Sequence, residues 1–259
     1  DGEIVGGERL GIRDGAWYGV WQRFEESPAL YPGVPDLLRR SKPSGRLIFK
    51  PESWPDENEF MEAALRVALV EMGVMKPDEA RLQLEQLEKT HGMRRSWVWA
   101  RLGMSPLANA LEHLAVLAKS TKMPLGGDSV DAMAKVYAEG GYLADDATLR
   151  ALACVKSAED AAALQTAIRC IYLPWLEDTT KQFQQCETVK SLPPAEQRED
   201  IKVGAGECIL FVDGLRFDIG RRLAAMAGER NMEVSAAWGW ASLPTVTATA
   251  KPATSPIAG

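Results

Sequence analysis

The chain has 259 residues, 46% of them hydrophobic and 25% charged, enough apolar material for one large domain or two modest ones and too much for a disordered chain. A formal net charge of −6 argues against binding nucleic acid through the overall field. Four cysteines (Cys154, Cys170, Cys186, Cys208) and two histidines (His91, His113) show no Cys-x-x-Cys or zinc-ribbon spacing, and no apolar run reaches membrane-spanning length, so a reducing cytoplasm is the expected setting.

Residues 1–56 are rich in Gly, Pro and Trp and read as an irregular or mixed region of short strands or loops, with one brief helix near Pro35–Arg40. Trp17, Tyr18 and Trp21 are either stacking platforms for a base or ligand or, the reading that core statistics favour, packing anchors. Basic residues cluster at Arg39, Arg40, Lys42, Arg46 and Lys50, and again at Arg94 and Arg95. Both groups read as solvated charge, with a local nucleic-acid contact at the first as the lesser alternative.

From 57 to 190 the pattern is helical. Phe60, Met61, Ala64, Leu65, Ala68, Leu69 and Met72 recur at three- and four-residue intervals and trace one apolar face, which Gly73 ends. Pro77-Asp78-Glu79 has the proline and acidic first turn of a new helix, with Gly92 beyond its end. Ser105-Pro106 opens another amphipathic helix, and Pro124–Gly127 is a turn. Further helices are expected over Ser129–Glu139, Asp145–Val155 and Ala158–Gln185, the last interrupted or kinked at Pro174. Cys154 and Cys170 lie in apolar helical stretches as small hydrophobes, and His91 and His113 read as cap or packing residues.

Residues 191–205 read as a linker. Over 206–259 the grammar changes: Glu207–Asp213 is a short apolar run, a buried parallel strand by length and content. Gly214 allows a tight turn. Leu215–Gly228 is a helix with Leu215, Ile219, Leu223 and Met226 on one side, and Met232–Ala236 is a second strand. Asp213 then stands at the carboxyl end of a strand, where ligands bind in open α/β sheets; alone, it reads as a turn aspartate. Asp218 is expected to pair with Arg221 or Arg222. In Leu243–Lys251, Thr245 and Thr247 follow a proline ahead of a helix start, where unpaired N–H groups favour phosphate oxygens; alone, such a turn is more often a helix cap.

Together, the segment CILFVDGLRFDIGRRLA and the later SLPTVTATAKPA resemble the N-terminal part of the PglZ family, phage-defence proteins of BREX type in the alkaline phosphatase superfamily. The resemblance covers about 206–259 and extends more weakly to RRSWVWARLGMSPLANALEHLAVLA. It implies an α-rich chain, a helical module followed by a truncated α/β unit of alkaline phosphatase type. It implies metal binding at Asp213, with Thr247 as nucleophile and Thr245 as runner-up, in a hydrolase that uses a divalent metal, commonly zinc. Lys251 is read as a surface lysine. The chain begins at Asp1 and ends at Gly259 before further ligands appear, so it is expected to be a piece of a longer protein. Such a piece should hold no metal tightly and should be inactive alone, its truncated sheet edge-exposed and less stable than the helices. The implied partners are other components of a phage-defence complex, and the alternative function is a non-catalytic helical scaffold that docks them.

Overall fold

The computed structural model describes residues 2–43, 50–186, 204–240 and 246–248. It is helix-rich: α1 (Gly2–Ile12), α2 (Trp17–Glu26), α3 (Val34–Ser41), α4 (Pro55–Glu71), α5 (Pro77–His91), α6 (Val98–Arg101), α7 (Pro106–Ser120), α8 (Val130–Val136), α9 (Tyr142–Ala153), α10 (Ala158–Gln185) and α11 (Phe217–Glu229). The chain divides into two compact units, Asp1–Met123 with Ala147–Leu176, and Pro124–Asp146 with Glu177–Gly259. Among the described residues no helix is long and apolar enough to cross a membrane.

The first unit corrects the expectation of an irregular N-terminus, because the described residues of 1–43 form three helices. Gly7 and Gly11 of α1 are close-approach positions. A Cβ on Gly7 would sit 2.3 Å from Ser41 Oγ, and one on Gly11 would sit 2.4 Å from the Trp54 ring. Only without those carbons can α1 lie along α3 and against Trp54. Trp21, Phe24, Leu38, Trp54 and Trp99 then form a core with Leu10 and Val98. Trp21 and Trp99 meet edge to face at 6.5 Å, and the Trp99 indole N–H donates to the Glu52 carbonyl at 3.0 Å. Each buried tryptophan removes roughly 150–250 Å² from water, worth several kcal/mol at about 25 cal/mol per Å². Trp21 is therefore a packing anchor, Trp17 is half-buried, and Tyr18 is exposed.

Helix α4 forms where its periodicity predicts, yet it is turned about its axis. The buried side carries Asn58, Glu62, Leu65 and Leu69, continuing to Met72, whereas Phe60 is 72% exposed and Val67 and Val70 also face solvent. A helix apolar on both sides is oriented by its polar anchors. Arg94, expected in solvent, is fully buried and supplies that anchor. Its Nη2 donates to Glu62 Oε1 (2.7 Å), Asn58 Oδ1 (2.8 Å) and the Asn58 carbonyl (3.0 Å). Glu62 in turn accepts from the backbone N–H groups of Leu107 (2.9 Å) and Ala108 (3.2 Å), capping α7 in place of Ser105. The Ser105 hydroxyl donates instead to Asn58 Oδ1 at 2.8 Å. His91 Nδ1 lies 3.2 Å from Arg94 Nη1, so it accepts and the ring proton sits on Nε2. Burial, then the Arg94 charge, pushes His91 below the usual imidazole value. Burial likewise pushes Glu62 up, against the pull of the Leu107 N–H and Arg94.

Arg81 ties three elements of the same unit, with Nη1 to Asp78 Oδ1 (2.8 Å), Nε to Thr121 Oγ1 (3.3 Å) and Nη2 to the Ile171 carbonyl (3.3 Å). The Trp175 indole donates to the Met123 carbonyl at 2.9 Å. Helix α10 is assigned as one helix over Ala158–Gln185, with Pro174 inside it.

In the second unit, α8 and α9 are joined not by a break at the glycines but by a π-turn over Tyr137–Gly141. A Cβ on Gly141 would lie 2.5 Å from Leu125 Cδ2, so the wider turn lets the backbone come down onto Leu125. Helix α11 ends in a Schellman motif: the Met232 N–H bonds the Ala227 carbonyl (3.2 Å) and the Asn231 N–H bonds that of Gly228 (2.9 Å), with Asn231 at φ +60°. Among the described residues there is no β-strand. The expected strands at Glu207–Asp213 and Met232–Ala236 carry no ladder, and a strand without a neighbour has nothing to bond its N–H and C=O groups. The expected linker, 191–205, lies almost wholly outside the described residues.

Candidate functional site

Asp213 and Gly214 form a turn between the apolar run Ile209–Val212 and α11. Gly214 takes φ +69°, a left-handed conformation in which a Cβ is strained, which explains the glycine after the aspartate. Asp213 is exposed, as are Ile209 to Val212 and, on α11, Leu223 and Met226. Thr247 is exposed in a short helical turn with Ala248. Thr245 and Lys251 lie outside the described residues.

A two-metal phosphoesterase centre needs several carboxylate and imidazole donors converging on the ions. Among the described residues no group of three or more His, Cys, Asp or Glu side chains gathers in a way that could hold one. His91 is committed to Arg94, and His113 lies within α7. The described donors do not by themselves make up such a centre.

Sequence reasoning missed what surrounds the start of α11. Asp218 is 1% exposed and pairs with Arg216 at 2.9 Å, not with Arg221 or Arg222. Arg216 also lies 3.4 Å from Asp145, whose Oδ2 accepts from the Tyr137 hydroxyl at 2.8 Å. Burial first, then that hydrogen bond, pushes the Tyr137 phenol well above its ordinary range, so it stays protonated. Arg222 donates from Nε to Asp146 Oδ1 at 2.9 Å. Phe217 packs against Tyr137 and Tyr142, each with ring centroids 5.7 Å away. These interactions fasten the N-terminal half of α11 to the π-turn and the first residues of α9. Arg221 differs: its guanidinium lies over the Tyr142 ring at 5.5 Å, and among the described residues no carboxylate pairs with it.

Three cavities adjoin here. The first, of about 360 Å³, is walled by Met133, Tyr137, Phe183, Phe217, Trp238 and Trp240. The second, of about 250 Å³, is bordered by Leu215, Arg216, Phe217, Arg221 and Trp238. The third, of about 690 Å³, is bounded by Asp131, Lys135, Glu139, Arg221 and Trp238. Trp238 and Trp240 meet at 6.0 Å and 89°, and the Trp240 indole donates to Asp131 Oδ1 at 2.9 Å. The one sequence signal for this site is the Trp-Gly-Trp spacing.

The early basic cluster is largely paired. Arg39 bonds Asp36 (2.6 Å) and Glu59, Lys42 lies 2.7 Å from Glu57, and Arg40 lies 3.9 Å from Glu3; Arg46 is outside the described residues. Arg95 is shared between Glu88 (2.9 Å) and Glu112 (3.8 Å). No protein-family profile, curated protein or solved structure matches the chain.

Proposed function

We propose that residues 206–259 belong to a PglZ-type unit of the alkaline phosphatase superfamily, opening its α/β domain, in a protein of phage defence. In this reading Asp213 is a metal ligand and Thr247, with Thr245 as alternative, attacks phosphorus as the nucleophile of a phosphohydrolase. The supporting observation is the placement of Asp213 in a two-residue turn between an apolar run and α11. Ile209 to Val212 and Leu223 are left facing solvent, the surface a sheet with further strands would cover. A divalent ion, zinc by resemblance, would supply Lewis-acid activation. Asp213 is the one donor assigned to it in this chain. The test is hydrolysis of a chromogenic phosphoester by a polypeptide continuing past Gly259 through the rest of such a domain, with zinc added. Turnover lost in Thr247→Ala and in Asp213→Ala supports the reading; turnover surviving in both threonine variants removes the nucleophile assignment.

The second reading, a helical module that docks other components of the defence system, is favoured by the outer side of α4. Phe60, Val67 and Val70 follow one another there, with Val74 beyond, all more than half exposed. Co-purification with such components after deletion of 206–259, lost again in Val67→Asp, is its expected signature.

A further inference from the structure

We infer that the aromatic cleft of the second unit binds a flat heteroaromatic ring joined to a phosphate, a nucleoside monophosphate. Three features specify the ring. The first cavity is walled almost wholly by apolar and aromatic side chains, and its volume of about 360 Å³ falls in the range of small-ligand pockets. Its tryptophans stand perpendicular, so a planar group can lie on one indole face while the other closes its edge. Trp238 is also 45% exposed, a large aromatic surface left open on a cavity wall.

The phosphate is specified by charge. Arg216 and Arg222 each hold carboxylates, whereas Arg221 lies over Tyr142, makes no ion pair among the described residues, and borders the second and third cavities. A guanidinium stacked on a ring keeps its N–H edge free to grip phosphate oxygens in pairs. Asp131 and Glu139 border the same third cavity, where Asp131 accepts from Trp240, Glu139 lies 3.9 Å from Lys135, and Lys135 adds a second cation to Arg221. Trp238 borders both the apolar cavity and the cavity carrying Arg221, so ring and charge occupy separate compartments and need a spacer between them. A ribose supplies one; a simple aromatic acid does not.

This site stands independently of the phosphohydrolase reading, since neither Asp213 nor Thr247 borders it. The test is calorimetric titration of the full chain with adenosine monophosphate, adenosine, indole-3-carboxylate and inorganic phosphate. Adenosine monophosphate should bind roughly tenfold or more tightly than adenosine, the weight of one good charge-assisted contact. Arg221→Ala should bring it down to the level of adenosine, Arg221→Lys should restore part, and Trp238→Ala should weaken both nucleoside ligands. The affinity for adenosine monophosphate at this cleft should not depend on Asp213, which borders none of the three cavities. Circular dichroism of each variant separates lost binding from lost folding. No binding of either nucleoside ligand at millimolar concentration overturns the assignment. So does equal binding of inorganic phosphate or indole-3-carboxylate, or affinity unchanged in both the Arg221→Ala and Trp238→Ala variants.

Discussion

The Arg94 guanidinium lies 2.7 Å from Glu62 Oε1, and its side chain has no exposed surface. Two charges from segments 32 residues apart are thus removed from water together. Most of their remaining polar valences go to Asn58, His91 and the start of α7, with Arg94 Nε buried and left without a hydrogen-bond partner among the described residues. Removing one partner strands the other, so Arg94→Met should lower stability by about 3–5 kcal/mol. Urea unfolding followed by circular dichroism reads this; a loss below about 1 kcal/mol would mean that the pair does not hold α4 in place.

His91 makes the same network sensitive to acid. Its folded-state value is depressed, so its contribution is complete above the ordinary imidazole value of 6.5 and is lost as pH falls through the lowered one. Glu62 is shifted upward and works in the opposite sense at lower pH, so the comparison must isolate the histidine. His91→Asn keeps an acceptor for Arg94 but cannot charge. Its melting temperature should fall less than that of the parent between pH 7.5 and 5.5; equal falls would dismiss His91 as the source.

Glycines on two helices should respond in opposite directions to alanine. Gly7→Ala and Gly11→Ala drive a methyl into Ser41 and the Trp54 ring and should cost about 1–3 kcal/mol each. Gly19, in α2, has nothing within 4 Å of its missing Cβ, so Gly19→Ala should stabilise by about 0.5–1 kcal/mol. Melting temperatures of the three variants check both signs.

Asp213 and Thr247 are both exposed, and their replacement by alanine should leave stability within about 0.5 kcal/mol of the parent. A thermal shift beyond that would give either side chain a structural role and weaken its assignment to chemistry.

Much of the helical order is legible in the residues. Pro77 and Gly92 bracket α5, and Ala158–Gln185 emerges with its bounds unchanged despite Pro174. What escaped detection were features that depend on a distant partner. Gly7 and Gly11 look like loop residues until Ser41 and Trp54 are brought against them. The inward side of α4 cannot be chosen from hydrophobicity when Phe60 and Leu65 compete; a buried Arg94, 32 residues beyond Glu62, decides it. Asp218 chose Arg216, two residues before it, over Arg221 and Arg222, because Arg216 is also drawn to Asp145. At the candidate catalytic motif, sequence supplies the residue types, and the turn at Asp213 is where it was expected. The sheet was inferred from apolar content, which cannot distinguish a paired strand from an unpaired run.

The cap on α7 bears on how the first unit assembles. A helix that begins with its own serine or aspartate cap can form its first turn alone, but the leading N–H groups of α7 are satisfied by Glu62, 45 residues earlier. Its opening turn should therefore stay frayed until α4 arrives, and the two helices should mature in one step. In kinetic terms, Glu62→Ala should slow folding about as much as it destabilises, placing this contact between distant segments inside the folding nucleus.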